Sequence, residues 1–258
     1  MLETSDDPIC YEVSGGIALI GMARPPVNAL DRHMVRAVIA AFKQAADDDA
    51  VRAVVLASAV AKRFCAGLDI VGLVGKSLEQ IRTLVHELYV GVFEAQYHLG
   101  KPSIAAVNGP ARGGGMTLAV SCDVVLAGES ATFGYPEIDL GVLPAIHFVH
   151  LPQIIGRHRA FELLFTGRAF GASEAAALGL INRVVPDGEL EREARKLAGE
   201  FAAKPETAVR LGRAAFMRQI DLDYRRSIAN AVEDFSNIAA TDAAQERFRA
   251  FAEKGRSK

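Results

Sequence analysis

The chain has 258 residues and a mass of 27.6 kDa, half of its residues are hydrophobic and 23% charged, and its formal net charge is −2 with a pI near 6.3. That length can bury a large core, and it favours one domain with an appendage over two equal domains. The near-neutral balance excludes a basic field that would gather nucleic acid or an anionic membrane surface.

The opening reads as a hairpin: Ile9–Val13, a Gly15-Gly16 turn, then Ile17–Met22. Asp31 caps a helix whose Met34, Val35, Val38, Ile39 and Phe42 recur at helical spacing. Ala53–Ala57 is a continuous apolar run, as expected of a strand buried on both faces. A loop holding Phe64–Ile70 follows, and Ser77 with Gln80 forms a capping box for the next helix. The unit then recurs: Ser103–Val107 as strand, a glycine-rich loop, and a short helix from Gly113 to about Val120. Val124–Ala127, Thr132–Tyr135 and Leu180–Val185 read as further strands, giving an α/β core of repeated ββα character over residues 1–186.

From Asp187 onward the pattern is helical and charge-laced, over Glu189–Phe201, Glu206–Gln219, Asp223–Ala240 and Asp242–Lys254. Residues 187–258 are therefore expected to form a helical region. Its apolar positions Ile228, Val232, Phe235, Ile238, Phe248 and Phe251 need a partner surface, in the same subunit or in a neighbour.

Three widely spaced cysteines, Cys10, Cys65 and Cys122, without a CxxC pair, point to reduced thiols in a reducing compartment. The start, MLETSDDPIC, is acidic and lacks an apolar run, so no signal or transit peptide is expected. The longest stretch free of Asp, Glu, Lys and Arg, Leu140–Gly156, holds two prolines and two histidines and does not read as a membrane span. Lys254, Arg256 and Lys258 read as a solvated end. The expectation is a soluble, cytoplasmic protein with no nucleic-acid or membrane partner.

Two stretches carry the chemistry: Phe64–Ile70, and Ala105–Gly115 continued to Phe133–Glu137. Each brings bare backbone N–H groups to a glycine, and the second delivers one carboxylate, Glu137. Convergent N–H donors beside a carboxylate can stabilise an oxyanion while a proton moves. Glycines in a helix's first turn cost roughly 0.8–1.0 kcal/mol each relative to alanine, so Gly113–Gly115 needs a reason, either tight packing on the sheet or the approach of a ligand oxygen. No phosphate loop, GxSxG elbow or HExxH pair is present. His147 and His150 lie three apart without a nearby carboxylate or cysteine in sequence, so no metal site is expected.

FCAGLDI (64–70), AAVNGPARGGG (105–115), CDVVLAG, ATFGYPEIDLG, LLFTGRAF and AAALGLINRVVP, in that order, resemble the enoyl-CoA hydratase/isomerase (crotonase) superfamily, as does RPPVNAL (24–30). The resemblance spans nearly the whole chain. It implies a crotonase-like spiral core with a C-terminal helical oligomerisation region, assembled as trimers or dimers of trimers. It implies that the N–H groups of Leu68 and Gly114 hold an acyl-CoA thioester oxygen, with coenzyme A entering as part of the substrate and no other cofactor. Ala66, Leu68, Asp69 and Ile70 would wrap the CoA adenine, and Arg24 would meet its phosphates; Asp69 reads equally as a local loop cap.

Two departures stand out. Hydratases of this family use two glutamates; Glu137 matches the second, but the first position is Thr117, whose hydroxyl cannot act as a base at neutral pH. That leaves one-base chemistry: double-bond isomerisation, or hydration with Thr117 positioning water. Hydroxycinnamoyl-CoA hydratase-lyases resemble this arrangement but use a C-terminal tyrosine, for which Tyr224 is off register. Pro144-Ala145-Ile146-His147-Phe148 replaces a Pro-Gly-rich turn, so Pro144 and His147 are expected to line or shorten the acyl pocket, His147 either as an acid/base or as a packed ring. A protein of this fold that only binds acyl-CoA or a partner remains the alternative of another class.

Overall fold

A computed structural model describes residues 7–220 and 224–256. Among the described residues nine strands form two sheets: β1 (Ile9–Ser14), β2 (Ile17–Met22), β3 (Ala53–Ser58), β4 (Ser103–Val107), β5 (Ala111–Arg112), β6 (Val124–Gly128), β7 (Thr132–Gly134), β8 (Phe170–Gly171) and β9 (Arg183–Val185). The large sheet runs β1-β2-β3-β4-β6-β9 and the small one β5-β7-β8. Only the β1–β2 hairpin is antiparallel in the large sheet; the remaining pairs are parallel. Two successive turns each contribute one strand to the large sheet, a short strand to the small one, and then a helical segment. β4, β5 and the Gly114–Ser121 helix form one turn; β6, β7 and the Pro136–Leu140 3₁₀ turn begin the next.

The central parallel strands β2, β3, β4 and β6 are mostly apolar because both of their faces are covered. Alternate residues divide between two cores. Ala18, Ile20, Met22, Val54, Leu56, Ala105, Val107, Val125 and Ala127 face the larger. Ile17, Leu19, Ala53, Val55, Ile104, Ala106 and Leu126 face the smaller, which is closed by Leu190, Ala194, Leu197 and Ala198 of the Leu190–Ala202 helix. That helix starts the region read from sequence as a tail, yet its apolar stripe is spent on the sheet.

The later helices also find partners within the chain. Ile228, Val232, Phe235 and Phe248 are buried in the large core, with Ile238 packed against it, while Phe251 is exposed. The Tyr224–Ala239 helix lies against Leu78–His86 and Ala145–Ile155. So the face that the sequence left open to a neighbouring subunit is mostly covered by the chain itself. The last strand is shorter than the Leu180–Val185 expected, because Leu180 and Ile181 turn into the core before the ladder begins. Leu140–Gly156 contains a helix, Ala145–Ile155, and no described helix is long and apolar enough to cross a membrane. Residues Met1–Asp6 and Lys258, which bear on the expected absence of a leader and the basic end, lie outside the described residues, as does the Tyr224 side chain.

Candidate active site

The two glycine loops are sewn together before either meets a ligand. Cys65 bridges Ala111 as in a parallel ladder. Arg112 N–H donates to Cys65 O at 3.0 Å, and Cys65 N–H donates to Pro110 O at 3.1 Å. Behind them the 24–30 segment holds the first loop: Ala66 N–H donates to Val27 O at 3.0 Å, Leu30 N–H to Gly67 O at 2.7 Å, and Asp69 N–H to Leu30 O at 3.0 Å. Leu30 thus pairs with the residues on either side of Leu68, and in a parallel ladder that turns the Leu68 N–H outward. Buried Asn28 completes the support, donating to Phe64 O at 2.9 Å and to Ser58 Oγ at 2.7 Å.

Gly114 is the first residue of the Gly114–Ser121 helix, where an N–H has no intrahelical acceptor and the helix dipole favours negative charge. A Cβ on Gly114 would lie 3.0 Å from Leu30 Cδ1, 3.1 Å from Leu88 Cδ2 and 3.5 Å from the Leu68 N. The preceding Gly113 sits at φ 47° and ψ −113°, a backbone region that side chains avoid. A Cβ there would fall 2.8 Å from Glu137 Oε1. The glycine run therefore makes room for a carboxylate at Gly113 and for the Leu30 and Leu88 side chains at Gly114, while the third, Gly115, packs on Cys65.

Glu137 is delivered by the 3₁₀ turn that follows β7, with Gly113 N–H donating to Gly134 O at 3.1 Å to fix the two loops. Burial pushes its carboxyl up to about 7, so it can hold or release a proton near neutrality. Its Oε2 is enclosed with no hydrogen-bond partner among the described residues. A buried oxygen of that kind is costly in a purely structural role. A cavity of about 50 Å³ opens between these groups, lined by Ala66–Leu68, Ile70, Leu88, Tyr89, Gly113, Gly114, Pro136, Glu137, Leu140, Val142 and Phe235.

Other expected residues fall elsewhere. Thr117 is buried one helical turn beyond Gly114 and borders a separate small cavity with Tyr89, Ile146 and His150. Its Oγ1 lies 3.5 Å from His147 Nε2, so its hydroxyl is turned toward that ring. Pro144 and His147, expected to line the acyl pocket, are buried and do not line this cavity, because the Ala145–Ile155 helix carries His147 behind Gly113. Arg24 pairs with Asp31 at 3.1 Å and Asp69 at 3.2 Å and donates to Ala29 O at 2.7 Å. Asp69 also accepts from Gly72 N–H at 3.2 Å, capping the short Ile70–Leu73 helix. In this structure both residues hold the loop.

Tyr89, Leu88 and Phe235 are site residues that sequence reasoning missed. Tyr89 lies on a π-helical stretch, Glu87–Gly91, which swings it between the two cavities, its ring 6.3 Å from Phe235 and edge-on to it. Burial and then the Glu137 charge push its phenol above the ordinary range. The π insertion has no signature in composition, and only proximity in the fold reveals it.

The sequence family model described as "Enoyl-CoA hydratase/isomerase" matches residues 12–258. The chain belongs to the enoyl-CoA hydratase/isomerase family. It is an enzyme of that family. A crotonyl-CoA hydratase of Syntrophomonas wolfei is 35% identical over 248 residues, covering 95% of each protein. The crystal structure of an enoyl-CoA hydratase/isomerase from Xanthobacter autotrophicus Py2 matches with a TM-score of 0.87 at 31% identity, over 97% of this chain and 93% of that one. The human mitochondrial delta3-delta2-enoyl-CoA isomerase, 24% identical, shares the crotonase fold, with a TM-score of 0.86 over 97% and 98% of the two chains.

Proposed function

We propose that this family member stabilises the enolate of an enoyl-CoA thioester between the N–H groups of Leu68 and Gly114, with Glu137 as a single acid/base that shifts the double bond. The thioester Cα proton passes to the Glu137 carboxylate, the negative charge collects on the thioester oxygen, and the same carboxyl returns a proton to Cγ. The observation that carries this reading is that Glu137 is the one carboxylate in the described cavity lining, while the Thr117 hydroxyl faces His147. One acid/base poised near neutrality suffices for a proton shuttle. Coenzyme A enters as part of the substrate, and the reading calls for no other cofactor.

A second reading, hydration of a short enoyl-CoA with Glu137 activating water alone, is favoured by the name of the Syntrophomonas relative. A panel of 3-enoyl-CoA and 2-enoyl-CoA thioesters, followed by product analysis in D₂O, separates the two. Isomerisation with deuterium at Cα or Cγ and slow hydration is the expected result. Efficient crotonyl-CoA hydration by the unmodified protein would transfer the assignment to the second reading. Conversion of no thioester in the panel would overturn both readings.

A further inference from the structure

We infer that His147 is a positioning residue for the oxyanion hole, acting through the carbonyl of the peptide whose N–H forms half of it. The Gly113 C=O and the Gly114 N–H belong to one peptide group. That carbonyl accepts from Met116 N–H at 2.8 Å, from Thr117 N–H at 3.1 Å, and from His147 Nε2 at 3.2 Å. A carbonyl only accepts, so Nε2 carries the proton and Nδ1 of the neutral ring offers its lone pair. His150 Nε2, 2.8 Å from His147 Nδ1, fills that position as donor. The chain of donors therefore runs His150, His147, Gly113 carbonyl, and emerges as the Gly114 N–H.

The rest of the packing fits this assignment. Both histidines come from one face of the Ala145–Ile155 helix, and His147 is 1% exposed. The ring of Tyr135, its centroid 4.5 Å away, holds the His147 plane. Burial holds both imidazoles below their ordinary range, so the neutral tautomers persist at working pH. His147 is not part of the described cavity lining, which places it behind the peptide and away from the reacting carbon.

The physical effect is twofold. Gly113, at φ 47°, has no side chain to hold its peptide plane, and a side-chain donor on the carbonyl fixes where the next N–H points. A donor on a peptide oxygen also draws density from its nitrogen. The N–H becomes a better donor, by a cooperative strengthening of about 10–30% per bond. That gain matters most when the thioester oxygen carries the full enolate charge.

The inference rests on the oxyanion-hole reading, and butyryl-CoA labelled with ¹³C at the thioester carbon tests the two separately. Bound to the wild-type protein, its carbonyl stretch should move to lower frequency than in water. An unmoved stretch overturns the hole itself, and this inference with it. In His147→Phe the downshift should shrink, and Cα–H exchange in D₂O should slow by about tenfold while the Kd changes less than about threefold. His147→Gln, which keeps an N–H near the Nε2 position, should recover exchange to within about threefold of wild type. A folded His147→Phe with the wild-type stretch and exchange rate overturns the inference. So does a glutamine variant that behaves like phenylalanine, since the ring's packing would then carry the effect. If His147→Phe does not fold, His150→Phe is the readout: a partial loss of the downshift is expected, and a wild-type stretch overturns the inference.

Discussion

The two faces of the large sheet share their strands and follow different rules. On one face a single helix, Leu190–Ala202, meets the strands through leucine and alanine, and the contact is apolar throughout. On the other, adjoining the larger core, lie a positive-φ glycine, a buried carboxylate oxygen without a partner, two neutral histidines and a cavity. One step along a strand separates the two: Ala106 faces the packed side and Val107 the side that carries the chemistry. The comparison teaches that stability and reactivity are assigned to opposite sides of one sheet, so that unfavourable polar burial on one side is offset by regular packing on the other.

The sharpest way to break this comparison is Glu137→Gln. Turnover should fall about 10²–10⁴-fold, as for loss of a general acid/base, with butyryl-CoA binding preserved because the amide keeps the shape. A variant retaining more than about a tenth of wild-type kcat would move the proton transfer to another group. Next, Gly114→Pro removes one donor; circular dichroism should report a folded protein, and activity should drop by about a hundredfold or more. On the opposite face, Leu197→Ala should cost about 2–4 kcal/mol in urea unfolding while kcat per folded molecule stays unchanged. A loss of kcat there would show that the faces are coupled.

The smallest effect concerns pH. The ordinary Glu137 value of 4.5 rises to about 7 on folding, so the native state keeps its proton longer and loses stability as pH rises through that window. Glu137→Gln does not titrate. It should therefore match wild type in stability near pH 4 and exceed it by about 1–3 kcal/mol above pH 8, read from urea midpoints at both pH values. Equal midpoints at both would show that the carboxyl is not held protonated by burial.

The sequence exposed the parts of this molecule whose signals are local. Ala53–Ser58 and Ser103–Val107 announce buried parallel strands by unbroken apolar runs, and the Ser77–Gln80 capping box forms as written. The loops carrying Leu68 and Gly114 were marked by their glycines, and Glu137 by its motif. What stayed hidden depends on direction in space. Two-residue strands such as Ala111–Arg112 and Phe170–Gly171 are too short to show alternation. The Ala145–Ile155 helix is masked by Pro152 and by its histidines, so the orientation of His147 could not be read from spacing. The Glu189–Phe201 helix was readable from its pattern, but the sheet on which its Leu190, Ala194, Leu197 and Ala198 pack was not.

The roof of the cavity has a temporal consequence. Phe235 belongs to the Tyr224–Ala239 helix, while every other described lining residue lies between Ala66 and Val142. Synthesis runs at about 5–20 residues per second, and a domain folds as a unit. Because Ile228, Val232, Phe235 and Phe248 belong to the same large core as the loops, the cavity closes only once the chain has been made through these helices. A segment made late therefore completes the wall of a cavity whose other described lining ends at Val142.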